Sequence, residues 1–215
     1  MGPVLIAGCH RSGTSAISRL FNVHGLDLGH FAAWSGPDNP TGFWEDRRML
    51  QANETLLEEA DATWRKPVIV DRDLREEGLN VDLLLDDKFM GLPGFKDPRF
   101  CWTWPTWKRA WPEAVLIGVL RNPEGVYKSL SQRNGLESEE IDRLWEDANS
   151  NLSQWGAQWV HFPTGQGLRA AIEKVGLEYH PELLEKVIVP DIVHYSAEES
   201  RSRLYQEIFG SIEPN

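Results

Sequence analysis

The sequence predicts an α/β fold in which a central parallel sheet is flanked by helices in three layers. Three observations predict it. Ala114–Leu120 (AVLIGVL) is a continuous branched-apolar run, the pattern of a strand buried on both faces. Pro3–Ala7 is a shorter apolar run that meets a glycine and then a helical pattern. Strand candidates and helical stretches then alternate along the chain, as in βαβ units. The 215 residues suit a single domain, 1–215, with a core large enough to need no disulfides.

The elements follow in order. After the strand Pro3–Ala7, the segment Thr14–His24 reads as a helix. Ala16, Ile17, Leu20, Phe21 and Val23 recur on one side, and Gly25 stands where a left-handed stop is needed. Leu28–Gly42 is rich in Gly, Pro, Asp and Asn and reads as a loop. Trp44–Ala60 is expected to be a helix with Met49, Leu50, Asn53, Leu56 and Leu57 inward. Val68–Val70 reads as a short strand and Asn80–Phe89 as a helix. Leu92–Lys96 leads into KDPRFCWTWPTWKRAWP, a helix expected to start or break near Pro105. Beyond the strand Ala114–Leu120, Asn122, Pro123 and Glu124 supply an N-cap, a first-turn proline and a first-turn acid. That helix runs to about Arg133 and ends at Asn134-Gly135. Ser138 is expected to cap a long acidic helix whose inner stripe is Ile141, Leu144, Trp145, Ala148, Leu152, Trp155 and Trp159. Val160–Phe162 and Val187–Val189 read as further strands flanking a helix near Leu168–Val175.

Charge narrows the function classes. The chain has 22 Lys and Arg against 33 Asp and Glu, a net charge of −11. Such a chain is a poor general binder of nucleic acid or of an anionic membrane. The balance is uneven. Between Lys96 and Arg133, seven basic residues meet three acidic ones, a local excess of four positive charges. Any anionic ligand is expected in a local basic pocket. The two cysteines, Cys9 and Cys101, form no CxxC pair and point to neither a disulfide scaffold nor structural zinc. No signal-peptide pattern, myristoylation motif (Ile6 stands at the Ser/Thr position) or membrane-length apolar run is visible, so a cytoplasmic protein is expected.

Gly8-Cys9-His10-Arg11-Ser12-Gly13-Thr14-Ser15 fits G-x-x-x-x-G-x-[ST] between a strand and a helix. Glycines let backbone N–H groups curl around an anion, and the helix N-terminus adds unsatisfied donors and partial positive charge. Thr14 stands where an ATP-hydrolysing loop carries its lysine, while Arg11 supplies a planar donor fork. A second motif ends the best strand. Arg121 stands at its carboxyl end, where parallel sheets bind ligands, and Ser129 follows eight residues later.

Together these motifs resemble the sulfotransferase superfamily, whose members use 3′-phosphoadenosine 5′-phosphosulfate (PAPS). In that family a loop of the form GxxRSGTS or PKSGTT binds the 5′-phosphosulfate. A strand-terminal Arg and a Ser eight residues on bind the 3′-phosphate. Lys96-Asp97-Pro98-Arg99 looks like the KDPR segment of bacterial and Golgi-type members, and NPTGFWE (Asn39–Glu45) like a segment of bacterial members. Four motifs in order, over roughly residues 4–162, carry the resemblance. It implies a P-loop nucleoside triphosphate hydrolase-like fold, with Arg11, Ser12, Gly13, Thr14, Ser15, Arg121 and Ser129 binding PAPS. The chain also departs from the pattern. The histidine that cytosolic members carry after a lysine-threonine pair has no counterpart near Pro98 and Arg99. TGQGLR (Thr164–Arg169) is a poor match to their C-terminal glycine- and lysine-rich motif.

The resemblance implies in-line transfer of a sulfuryl group to a hydroxyl or amine of a small-molecule, carbohydrate or peptide acceptor, with no metal. A base must take the acceptor proton, and cations must hold charge growing on the leaving phosphate oxygen. Glu45 is the expected base, since tyrosyl-protein sulfotransferases use a glutamate after the first helix; Asp97 is the alternative. As structural residues, Glu45 would be a helix-terminal acid and Asp97 an ion-pair partner. Arg11 and Lys96 are expected at the leaving group. His10, inside the loop, either touches the donor or simply packs. The ten tryptophans divide between core packing and an aromatic acceptor wall, for which Trp34 and Trp44 flank the proposed base. Two other classes remain open: a P-loop small-molecule kinase, against which Thr14 speaks, and a non-catalytic nucleotide-binding relative.

Overall fold

Residues 2–29, 42–85, 89–188 and 202–215 are described by the structure, a computed structural model. Five parallel strands form one sheet in the order β2-β3-β1-β4-β5. They are β1 (Val4–Ala7), β2 (Leu26–Asp27), β3 (Leu92–Lys96), β4 (Val115–Arg121) and β5 (Gln158–Phe162). The helices are α1 (Thr14–Val23), α2 (Arg47–Glu58), α3 (Phe100–Ala110), α4 (Pro123–Asn134), α5 (Ser138–Gln154), α6 (Leu168–Lys174), α7 (Leu184–Val187) and α8 (Arg203–Ser211). The protein is therefore α/β, with a parallel sheet flanked by helices.

Alternation along the central strands separates the two faces. Leu5 and Ala7 of β1, with Leu116 and Leu120 of β4, join a core with α2, α3, α4, α5 and α8. Val4 and Ile6, with Ile117 and Val119, join a second core with α1, α6 and α7. Burial on both sides explains why these strands read as unbroken apolar runs. No helix among the described residues is long and apolar enough to cross a membrane.

Several expectations need correction. Leu92–Lys96 is a strand between β2 and β1, not merely a lead-in; Pro93 and Gly94 obscure it in the sequence. Val68–Val70 lies outside the sheet: the Val70 N–H donates to the Trp102 carbonyl at 2.9 Å, and Val68 and Ile69 are exposed. The helix expected at Asn80–Phe89 is a short 3₁₀ turn, Val81–Leu85, with residues 86–88 outside the described set. Ser138 is not a cap but the first residue of α5. The cap position is Glu137, whose N–H donates to Glu140 Oε2 at 3.2 Å. Trp159 belongs to β5 rather than to the stripe of α5, and Trp155 follows its last turn. Where Val187–Val189 is expected as a strand, Val187 ends α7 and Val189 lies outside the described residues. The two-residue β2 carries no sequence signal that singles it out; helix α8 does, in its N-cap Ser202 and the apolar positions Leu204, Tyr205, Ile208 and Phe209, and is missing from the expected elements.

Helix α3 starts at Phe100 and runs through Pro105 unbroken. Pro105 has no N–H for the carbonyl of Cys101, one turn back. Asn151 of α5 donates its Nδ2 to that carbonyl at 3.1 Å instead. The proline is tolerated because a neighbouring helix satisfies the group it leaves open.

Candidate functional site

The carboxyl ends of β1, β3, β4 and β5 lie side by side and open on a cavity of about 680 Å³. The loop after β1 curls tightly. Both the N–H and the hydroxyl of Ser12 donate to the Cys9 carbonyl, at 3.0 and 2.7 Å. Gly13 follows at φ 90°, and a Cβ there would sit 2.4 Å from the Phe162 ring at the end of β5. Only glycine lets the loop lie this close to the neighbouring strand. Gly13 has no side chain, so the cap position of α1 offers its first N–H groups no side-chain acceptor. Helices α2, α4 and α8 differ: Asp46, Asn122 and Ser202 accept from their first turns. Thr14, Ser15 and Ala16, the first turn of α1, line the cavity.

The two sequence motifs are bonded to each other. Arg11 adopts φ 70°, a left-handed conformation that costs a non-glycine residue about 1 kcal/mol or more. Its Nε donates to Ser129 Oγ at 2.7 Å, and Arg121 donates an N–H to its carbonyl at 2.8 Å. Ser129 thus orients Arg11, and Arg121 clamps the strained loop onto the end of β4. Arg121 also lies over the Phe162 ring, 5.3 Å from its centroid.

Lys96 ends β3, on the other side of β1. Its Nζ donates to Glu45 Oε1 at 2.5 Å and to the Phe43 carbonyl at 3.0 Å. Lys96 is buried and the Glu45 side chain nearly so. Glu45 is not in a helix: Asp46 is the N-cap of α2, so the role of helix-terminal acid falls to its neighbour. Asp97 is fully buried and takes no part in the cavity wall. Arg99 bonds its carboxylate at 3.0 Å, and Asn53 donates to it at 2.9 Å. Burial raises the Asp97 carboxyl above its ordinary range, with Arg99 pulling the other way. Arg99 reaches on to Glu54 at 2.7 Å, an acid at the cavity mouth. Burial pushes the Cys9 thiol up to about 12, which leaves it inert.

Of the residues singled out in the sequence, Arg11, Gly13, Thr14, Ser15, Glu45, Lys96 and Arg121 line this one cavity. Ser12 does not: its hydroxyl turns back into the loop and the residue is buried. Ser129 reaches the site through Arg11. Trp34 lies outside the described residues, and Trp44 packs against the second core rather than lining the cavity. Trp102, Trp104, Trp107, Trp111, Trp145 and Trp159 are buried core residues.

The structure adds residues that sequence reasoning missed. Arg133 and Trp64 line the cavity, as do Arg99 and Phe162. Arg133 carries a signal: it stands four residues after Ser129 on α4, hence on the same helix face. Trp64 carries none, being brought in by the turn after α2. Among the described residues, Arg11, Lys96, Arg99, Arg121 and Arg133 surround the cavity with five cations against two acids, Glu45 and Glu54. Among the described residues no His, Cys, Asp or Glu cluster could hold a metal ion. No family model matches the chain, and no curated protein matches it.

Proposed function

We propose that this protein is a PAPS-dependent sulfotransferase, built on a P-loop-type nucleotide site, that moves a sulfuryl group to a hydroxyl or amine acceptor. One observation carries the reading. The arginine of the glycine loop and the Arg121–Ser129 pair, 110 and 118 residues distant in sequence, are hydrogen-bonded to each other on one cavity. A donor with phosphates on the 5′ and 3′ positions of one ribose needs two neighbouring anion subsites, held in register. The five cations and the helix N-terminus of α1, capped by no side chain at Gly13, suit a multiply charged anion. The buried Nε2 of His10, a residue of the same wall, adds a polar group with no partner among the described residues.

PAPS, when bound, supplies the activated sulfuryl group. The residues then divide the work by position. The N–H groups opening α1 and the guanidinium of Arg11 hold the 5′ end, while Arg121 holds the 3′-phosphate. Lys96, at the end of the strand next to β1, is placed to take charge growing on the bridging oxygen. Glu45 has one oxygen on Lys96, which orients the carboxylate so that the other can accept the proton of an acceptor O–H or N–H. The new S–O or S–N bond forms as the S–O bond to the phosphate breaks, and adenosine 3′,5′-bisphosphate leaves. Trp64 offers a flat face at the acceptor side, beside His10.

Calorimetry with adenosine 3′,5′-bisphosphate tests the reading. Binding at micromolar concentrations, weakened at least about tenfold in Arg121→Ala, is expected, the loss corresponding to about 1.4 kcal/mol. No heat at millimolar nucleotide would overturn the assignment. Magnesium-dependent binding of ATP instead would favour a kinase.

A further inference from the structure

His10 has no task in the transfer just described, yet it stands in the loop between Cys9 and Arg11 and lines the cavity. Its Nε2 is buried with no hydrogen-bond partner among the described residues, a state that native proteins avoid. The ring lies 4.8 Å from that of Trp64, tilted by 52°. Three cations face it: Arg11 from the loop, Lys96 from the end of β3 and Arg99 from the start of α3. The nearby carboxylates are engaged by two of those cations, Glu45 on Lys96 and both Asp97 and Glu54 on Arg99. Burial and the three cations push the imidazole down to about 3, so the ring is neutral near pH 7. A buried nitrogen without a protein partner, on the wall of a cavity ringed by cations, fits an oxygen of a bound anion.

We propose that His10 is a ligand-contacting residue of this site: it donates Nε2–H to an oxygen of a bound sulfuryl or phosphoryl group and takes up a proton from solvent as that anion arrives. The physical reason is cancellation. The charge of the anion offsets the field of Arg11, Lys96 and Arg99 at the ring. Protonation is then no longer opposed, and the imidazolium makes a charge-assisted hydrogen bond. The proposal depends on the sulfotransferase reading only for the identity of the natural anion, since any tetrahedral oxyanion would do the same.

The sign of the linkage is definite. The bound form holds the proton more tightly than the free form, so anion affinity rises as pH falls through the midpoint of the bound form. The test follows the histidine ring resonances of the full chain by NMR between pH 8 and 5. It compares the protein alone, with inorganic sulfate (which does not titrate in this range) and with adenosine 3′,5′-bisphosphate. Without anion, His10 should not titrate. With saturating sulfate its midpoint should rise into the range. Sulfate affinity should then increase up to about tenfold for each pH unit below that midpoint, where binding takes up one proton. In His10→Gln that pH dependence should vanish. The buried His161, held by Thr164 and Tyr205, should not respond to sulfate and serves as the internal reference.

Sulfate binding with an unmoved His10 midpoint, or a pH dependence that survives in His10→Gln, would overturn the proposal. If sulfate binds as described and the nucleotide does not bind, the sulfotransferase reading fails and the role of His10 stands. If neither anion binds at about 10 mM, both fall.

Discussion

A carboxylate held 2.5 Å from an ammonium is fixed in orientation, and Glu45 is held in this way by Lys96. Lys96 occupies one carboxylate oxygen, and in the proposed transfer the other takes the acceptor proton. Glu45→Gln keeps the size and removes the proton acceptor. Turnover should fall by about 10²–10⁴-fold, while adenosine 3′,5′-bisphosphate affinity stays within a few-fold. Sulfuryl transfer to a panel of phenol, sugar and amine acceptors, alongside calorimetry, checks both halves. Full activity in the variant would remove Glu45 from the mechanism. A second residue prediction concerns stability. His161 accepts or donates at both ring nitrogens, to Thr164 Oγ1 at 2.8 Å and Tyr205 OH at 3.0 Å, and burial pushes it down to about 4. The folded state therefore resists protonation that the unfolded chain accepts near its ordinary value of 6.5. Stability from this group is present above pH 6.5 and is lost as pH falls toward 4, by roughly 2–3 kcal/mol in all. Denaturant midpoints measured at pH 7.5 and pH 4.5 should differ less in His161→Gln than in the parent. Neither residue's state could be read in the sequence, because Lys96, Thr164 and Tyr205 take up these positions only through folding.

Where an element's signals are local, the sequence reveals it. Asn122 accepts from the Glu124 N–H at 2.9 Å, Pro123 opens α4, and Gly135 ends it in the left-handed conformation. Each is a property of adjacent residues, and each is legible in the sequence. Leu92–Lys96 is not, because Pro93 and Gly94 break the apolar pattern. Its place in the sheet comes from pairing with β1 on one side and the two-residue β2 on the other. Helix α3 illustrates the same limit. Pro105 looks like a break, but the carbonyl it leaves open is taken by Asn151. Asn151→Ala should therefore destabilise the protein by about 1–3 kcal/mol, the cost of an unsatisfied buried carbonyl. In a Pro105→Ala background the N–H of residue 105 returns, and the same substitution should cost markedly less. Chemical denaturation of the four-member cycle measures the difference; additive costs would show that Asn151 does not compensate the proline.

At the scale of the molecule, the two cores share the central strands, so neither can melt alone without stripping one face of the sheet. Tryptophan fluorescence and far-ultraviolet circular dichroism should report one coincident thermal transition. Adenosine 3′,5′-bisphosphate at a hundred times its Kd should raise stability by about 2.7 kcal/mol, a shift of roughly 5–10 °C in Tm for a chain of this size. Arg121→Ala, binding at least about tenfold more weakly, should keep at most about half of that stabilisation at the same ligand concentration, measured against its own ligand-free Tm. An unchanged Tm in the parent at millimolar nucleotide would count against the site. The sequence by itself determined the alternation of strands and helices, the glycine loop with its arginine, the strand-terminal Arg121 and the basic stretch within an acidic chain, since each depends on residues close together in the chain. Only the tertiary structure decided that Arg99, Arg133 and Trp64 join the site, that Ser12 turns away from it, and that Arg11 is locked by Ser129 and Arg121. The physical reason is the strand order, which brings the carboxyl ends of β3, β1, β4 and β5 to one edge and so makes neighbours of residues that lie up to 118 positions apart.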